Sequence, residues 1–291
     1  MDILIGIIPA IFWGFAPIAT KKTGGSPIQQ LVGNTFGSLL LAGVIILIFR
    51  PAISIPDFIW CFFSGAAWAL GQLMQYISFT KMNVSSAVPS FAGIQMIGTS
   101  LFGIFFLNEW VSTSSKILGF LCMIALFIGI LFTAHQDKHE QRRHNKHEHH
   151  IGVICLVVGG IAYTFCDVLP RVPNASGLSG ILPQTIGQIV TSLIISRIIV
   201  PKQWGKFLIG KKTVENTFCG LLSGGGTFFY LVSSKINGVA TGFPLSQLNS
   251  VISVIAGILF LHEHKDHLEM IYTEFGLILI VLSAFIIGHI Q

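Results

Sequence analysis

Ten stretches of apolar residues, set apart by Lys, Arg, Pro and short polar loops, account for most of the chain: 3–20, 31–49, 57–79, 85–107, 116–134, 151–169, 180–200, 215–234, 239–261 and 270–289. A bilayer core takes roughly 17–25 apolar residues per helix, so the pattern predicts an all-α integral membrane protein with ten transmembrane helices. The loops are short except for one central polar tract, "AHQDKHEQRRHNKHEHH". The chain therefore divides into a first five-helix unit (1–134), a His/Lys/Arg-rich linker (135–150) and a second five-helix unit (151–291).

Polar positions inside the apolar runs are spaced with a helical period. In "AWALGQLMQY", Trp68, Gln72, Gln75 and the following Phe79 share one helical face, with Tyr76 at its margin. An unpaired amide facing lipid costs several kcal/mol, so this face is expected to look into the bundle or a wet cavity. Comparable positions recur elsewhere: Gln30 and Asn34, Gln95 and Thr99, Gln184 and Gln188, Thr227 and Tyr230, Gln247 and Asn249, with Trp13 and Tyr163 in the first helix of each unit. The fifth and tenth runs are almost wholly apolar and read as packing elements.

The two units resemble one another. A shift of 155 residues superposes Gly65 on Gly220, Gly71 on Gly226, Val84 on Val239 and Pro89 on Pro244. A shift of 154 superposes Gln30 on Gln184, Gly33 on Gly187, Gly103 on Gly257, Leu107 on Leu261 and Glu109 on Glu263. Because each unit would cross the membrane five times, the second would be inverted relative to the first, an arrangement characteristic of secondary transporters.

Composition and charge narrow the class. Hydrophobic residues make up 52% of the chain and charged residues only 10%, against about 25% charged in soluble domains. No cleavable signal peptide is expected, since the first apolar run lacks a basic leader and ends at Lys21 and Lys22. Loops after the odd-numbered runs hold twelve Lys and Arg against four on the other side, which puts the linker in the cytoplasm and both termini outside. The net charge of +5 is scattered over these loops, as membrane topology would have it, and argues against nucleic-acid binding. Five cysteines, each alone in an apolar run, supply neither a disulfide framework nor a metal set.

The polar inventory is one of amides, hydroxyls and rings with almost no fixed charge. Carboxamides donate and accept at once, which suits vicinal hydroxyls, whereas a phosphorylated or acidic solute would call for buried Arg or Lys. The candidate substrate-binding residues are Trp13, Asn34, Trp68, Gln72, Gln75, Gln95, Tyr163, Gln184, Gln188, Tyr230, Gln247 and Asn249. Asp167 is the candidate proton carrier if it lies at membrane depth; the competing reading is a surface ion pair with Arg171. Pro9 and Pro17 could break the first helix beside Trp13, while Pro89 and Pro244 would open their helices at the first turn. Nine histidines fall in two loops, 135–150 and 262–267, and raise a metal-responsive role as one alternative.

The phrases "IPAIFWGFAPI", "GGSPIQQLVGNTFGSLL", "SGAAWALGQ", "GIQMIGTSLFGIFFLNEW", "LPQTIGQ" and "GVATGFPLSQLNSVISVIAGILFLHEHK" resemble the glucose/ribose porter family of bacterial sugar-uptake proteins, within the drug/metabolite transporter superfamily. The resemblance covers the chain apart from the linker. It implies uptake of a free monosaccharide across the bacterial cell membrane, with protons as coupling ion and the lipid bilayer as surroundings. It further implies a basket of eight helices around a cavity, the fifth and tenth lying outside. The matching positions are Trp13, Gly14, Gln30, Trp68, Gly71, Gln72, Gln95, Pro183, Gln184, Gly187 and Gln247. No enzymatic activity, cofactor or metal is expected. The alternatives are an exporter of amino acids or drug-like metabolites on the same fold, and a metal-responsive membrane sensor or scaffold.

Overall fold

The computed structural model describes residues 3–82, 84–107, 112–134, 146–262, 266–287 and 289. The central linker, Glu109 and Glu263 lie wholly or largely outside this set. The described residues are helical with no strand: α1 (Ile3–Thr23), α2 (Pro27–Phe49), α3 (Ile55–Ser78), α4 (Val84–Phe106), α5 (Thr113–Ala134), α6 (Lys146–Val168), α7 (Gly177–Ile199), α8 (Trp204–Leu208), α9 (Lys211–Asn237), α10 (Val239–Ser246), α11 (Leu248–Leu261) and α12 (His267–Ile287).

Local chemistry fixes many of these ends. Gly24 and Gly25 turn the chain at φ 71° and 98°, and Ser26 then caps α2 in a reciprocal pair with Gln29, with Pro27 opening the helix. Ser54 accepts from the backbone of Asp57 at the start of α3, and Ser176 pairs with Ser179 at the start of α7. Gly238, at φ 75°, separates α9 from α10.

The apolar-run pattern and the structure differ in count. Seven helical stretches among the described residues are long and apolar enough to cross a membrane, namely Ile3–Thr23, Pro27–Phe49, Thr113–Thr133, His150–Arg171, Gly177–Ile199, Val239–Leu261 and His267–Ile287. Ser90–Phe106 is a shorter apolar helix, while α3 and α9 carry too many polar residues, Gln72, Gln75, Asn216, Ser223 and Thr227 among them, to qualify by hydropathy. Those side chains face the bundle interior and are shielded from lipid. Two further features were not expected: the short helix α8 and the turn of 3-10 helix at Leu169–Arg171.

The prolines behave differently from the expectation. α1 runs unbroken through Pro9 and Pro17. Pro244 sits in the second turn of α10, and the helix breaks three residues later at Gln247, where tighter bonds take over: Gln247 N to Pro244 O (3.1 Å) and Ser250 N to Gln247 O (2.9 Å).

Two helix crossings form the frame. α2 packs on α9 and α3 on α7 with backbone against backbone. A Cβ on Gly37 would fall 2.0 Å from Thr217 O, and one on Gly220 2.0 Å from Asn34 O; one on Gly65 would fall 1.8 Å from Gln184 O, and one on Gly187 2.0 Å from Phe62 O. Only glycine permits these approaches. α5 and α12 pack on each other, with Gly129 against Gly276. At one end of the bundle Lys21 donates to Phe79 O and the Lys22 ammonium lies 5.4 Å from the Phe260 ring centroid.

Candidate functional site

A cavity of about 90 Å³ lies in the middle of the bundle. It is walled by α1, α3, α4, α6, α7, α9 and α10, with Gln247 at the break and Asn249 on α11. α3 contributes the stripe read from sequence: Trp68, Gln72, Gln75 and Tyr76 all line the cavity.

The α3 amides are organised from across the bundle. Gln72 Nε2 donates to Gln75 Oε1 (3.0 Å), and the Tyr163 hydroxyl of α6 donates to Gln72 Oε1 (2.9 Å) and lies 3.2 Å from Gln75 Oε1. Tyr163 is itself set in place by Phe91 on α4, whose ring lies edge-on to it at 6.0 Å. Gly71 makes room for the tyrosine, since a Cβ there would lie 2.7 Å from the Tyr163 ring.

Asp167, one turn beyond Tyr163 on α6, is 3% exposed and accepts a 2.5 Å hydrogen bond from Gln95 Nε2 on α4. The surface-pair reading of this acid does not hold: Arg171 Nη1 instead donates to Asn174 Oδ1 (2.7 Å) in the turn that follows. Asp167 carries the only ionisable carboxyl of the described cavity lining, which includes no Lys, Arg or His.

The opposite wall is aromatic. Trp13 and Tyr230 meet at 5.4 Å, Tyr230 and Phe243 at 6.1 Å, and the Trp13 indole N–H donates to Ser223 O (3.3 Å). Gly226 leaves space for that indole, 2.4 Å from where a Cβ would stand. Gln184 on α7 also reaches the cavity, its Nε2 donating to Ser64 Oγ (2.7 Å), which in turn donates to Cys166 O (2.5 Å).

Thus Trp13, Trp68, Gln72, Gln75, Gln95, Tyr163, Asp167, Gln184, Tyr230, Gln247 and Asn249 are brought together, and two expected residues are not. Asn34 is fully buried behind the wall, where its Nδ2 donates to Tyr76 Oη (2.7 Å) and Ser223 Oγ (2.9 Å). α2 therefore braces the cavity without lining it. Gln188 is 1% exposed, also away from the cavity, and neither atom of its amide has a hydrogen-bond partner among the described residues. Sequence reasoning missed Ser223, Cys166, Phe91 and Phe243. Ser223 could have been found, because it precedes Thr227 and Tyr230 by four and seven residues on the same helical face.

The wall thus combines six carboxamides and seven aromatic rings around one acid. Such a surface offers paired donors and acceptors to a neutral polar solute and flat apolar faces to its C–H edges.

Comparison with known proteins agrees over the full length. A Listeria monocytogenes protein named for sugar uptake is 39% identical over 289 residues, covering 99% of each chain. One from Latilactobacillus sakei named for ribose uptake is 36% identical, covering 100% of this chain and 99% of the relative. The glucose uptake protein GlcU of Bacillus subtilis is 35% identical, covering 99% and 98%. A solved crystal structure superposes with a TM-score of 0.68 over 98% of this chain and 96% of that one; at 14% identity the likeness is one of fold. With residues 4–290 matching the family described as "Sugar transport protein", the chain belongs to that family, as a multi-pass protein of the bacterial plasma membrane.

Proposed function

We propose that the protein takes up a neutral monosaccharide of the glucose or ribose class through the central cavity, driven by protons. The observation that carries this reading is the cavity wall itself: amides and rings around a single carboxyl, with no cationic side chain among the described lining residues. A sugar's hydroxyls match carboxamides that donate and accept together, and a phosphosugar would lack a counter-charge. The names of the relatives, for glucose and ribose uptake, support the same substrate class.

In this reading Gln72, Gln75, Gln95, Gln184, Gln247 and Asn249 hold hydroxyls, and Trp13, Trp68, Tyr163 and Tyr230 stack or gate. Asp167 is the proton carrier, as a buried carboxyl inside a membrane bundle commonly is. Asn34 acts as a brace for Tyr76 and Ser223.

Alternating access would come from two inverted five-helix halves, 1–134 and 151–291, joined by a cytoplasmic linker at 135–150. Packing supports this symmetry. A Cβ on Gly187 would clash with Phe62, and one on Gly33 with Asn216; a shift of 154 converts one pair into the other. Likewise Gly65 approaches Gln188 N as Gly220 approaches Asn34 O, partners related by shifts of 155 and 154. This approximate correspondence of partners supports an inverted repeat.

The test is uptake of labelled glucose, and separately ribose, by purified protein in liposomes with an imposed inward proton gradient. Accumulation of either sugar that an uncoupler abolishes is the expected result. Absence of flux for both, from folded protein, would overturn the reading in favour of export of another metabolite.

A further inference from the structure

The connection between α7 and α9 holds a second, open hollow on the flank of the bundle, lined by Arg197, Lys202, Trp204 and Lys206 among others. Its construction is specific. The indole N–H of Trp204 donates to Ser196 Oγ (2.9 Å), holding the ring against the end of α7, and Arg197 Nη1 donates to Pro201 O (3.2 Å), folding the loop back over the helix. The lining contains three cationic side chains and no acid. Nearby Lys211 and Lys212, by contrast, share Glu215 at 3.8 Å and 2.8 Å.

The hollow is continuous with a surface of another kind. Val190, Ile194 and Ile198 follow one another at four-residue spacing on α7 and are 38%, 55% and 73% exposed, the exposure rising toward the cationic end. In a membrane protein this stripe faces acyl chains, and Trp204, just past the end of the α7 span, suits the preference of indoles for the headgroup boundary. A cationic hollow at the head of an apolar stripe has the two-part chemistry of a phospholipid.

We propose that this hollow binds the phosphate headgroup of one anionic phospholipid, whose acyl chain lies along Val190, Ile194 and Ile198. Arg197 supplies a planar fork of donors for the phosphodiester, and Lys202 and Lys206 supply charge. The bound lipid would tie the end of α7, which carries Gln184, to the loop and α8 that follow it. This inference does not depend on the identity of the transported solute.

The experiment is native mass spectrometry of the full chain with phosphatidylglycerol or phosphatidylcholine, alongside thermal unfolding in nanodiscs of each lipid. The wild type should retain one phosphatidylglycerol, retain no phosphatidylcholine, and unfold at higher temperature in the anionic disc. K202Q/K206Q keeps the Arg197–Pro201 bond and should weaken retention roughly thirty-fold, each cation near a charged surface contributing about five-fold. K211Q/K212Q removes the same charge a few residues away and should retain the lipid. Equal loss in both variants would reduce the effect to surface charge and overturn the site. A matching rise in unfolding temperature with inorganic phosphate in detergent would assign the hollow to a free anion and overturn the lipid.

Discussion

Gln95 on α4 gives its amide hydrogen to Asp167 on α6 across 2.5 Å, within the wall of the central cavity. The amide is held in turn at its backbone, where Gln95 O accepts from Thr99 Oγ1 (2.9 Å). In the proposed mechanism this bond joins the proton site to the sugar site, so a change at one is felt at the other.

Asp167→Asn is therefore expected to abolish proton-driven accumulation while sparing sugar counterflow, because the amide keeps the shape and can still pair with Gln95. Uptake under an imposed gradient, compared with counterflow in the same liposomes, checks this. Loss of both would make Asp167 a structural residue, and loss of neither would remove it from coupling.

Gln72→Leu should stop transport without loss of folding, since Gln72 is joined to Tyr163 and Gln75 at the cavity face. Normal uptake by a folded variant would take Gln72 out of the site.

Asn34→Leu tests the brace. Its Nδ2 serves Tyr76 and Ser223, and removing the donor strands two buried hydroxyls, at a cost of about 1–3 kcal/mol. Thermal unfolding in detergent should show the loss. An unchanged unfolding temperature would mean that the hydroxyls find other partners.

Gln188 leads to the opposite expectation. Its buried amide has no partner at either atom among the described residues, so Gln188→Met, similar in shape and apolar, should stabilise by about 1–3 kcal/mol. If the amide finds partners only when the cavity opens to the other side, the same variant will transport more slowly despite its higher unfolding temperature. A drop in stability would show that the amide is already satisfied.

Glycine substitutions separate contact from conformation. Gly65→Ala places a Cβ 1.8 Å from Gln184 O and should prevent assembly, whereas Gly43→Ala meets nothing within 4 Å. The latter should be neutral or stabilise α2 by roughly 0.5–1 kcal/mol. Expression and unfolding temperature of the two variants provide the comparison.

These residues also mark what could be read from sequence. The α3 stripe was legible because helical spacing alone puts Trp68, Gln72 and Gln75 on one face and lipid cannot tolerate the amides. The same spacing says nothing of what covers a polar face. Asn34 looks like Gln72 in sequence, yet Gly33 and Gly37 draw α9 so close that the asparagine is sealed behind the wall. Pro244 was expected only to open a helix, and the break at Gln247 was not legible because it depends on how the turn after the proline re-forms its bonds. α8 lay hidden because five residues are too few to show a period. Asp167 could go either way until α4 was seen to bring Gln95 against it.

The glycine crossings have a mechanical meaning. Where α2 meets α9 and α3 meets α7, carbonyls rest in notches that contain no side chain. Interlocked leucines would have to leave one set of holes and find another before two helices could tilt. Smooth backbone surfaces have nothing to disengage, so in the proposed mechanism they would act as bearings: they would hold the proposed halves together through short contacts while presenting little resistance to rotation about the crossing point. A bulky residue at Gly187 or Gly220 would jam that bearing even if the helices could still assemble.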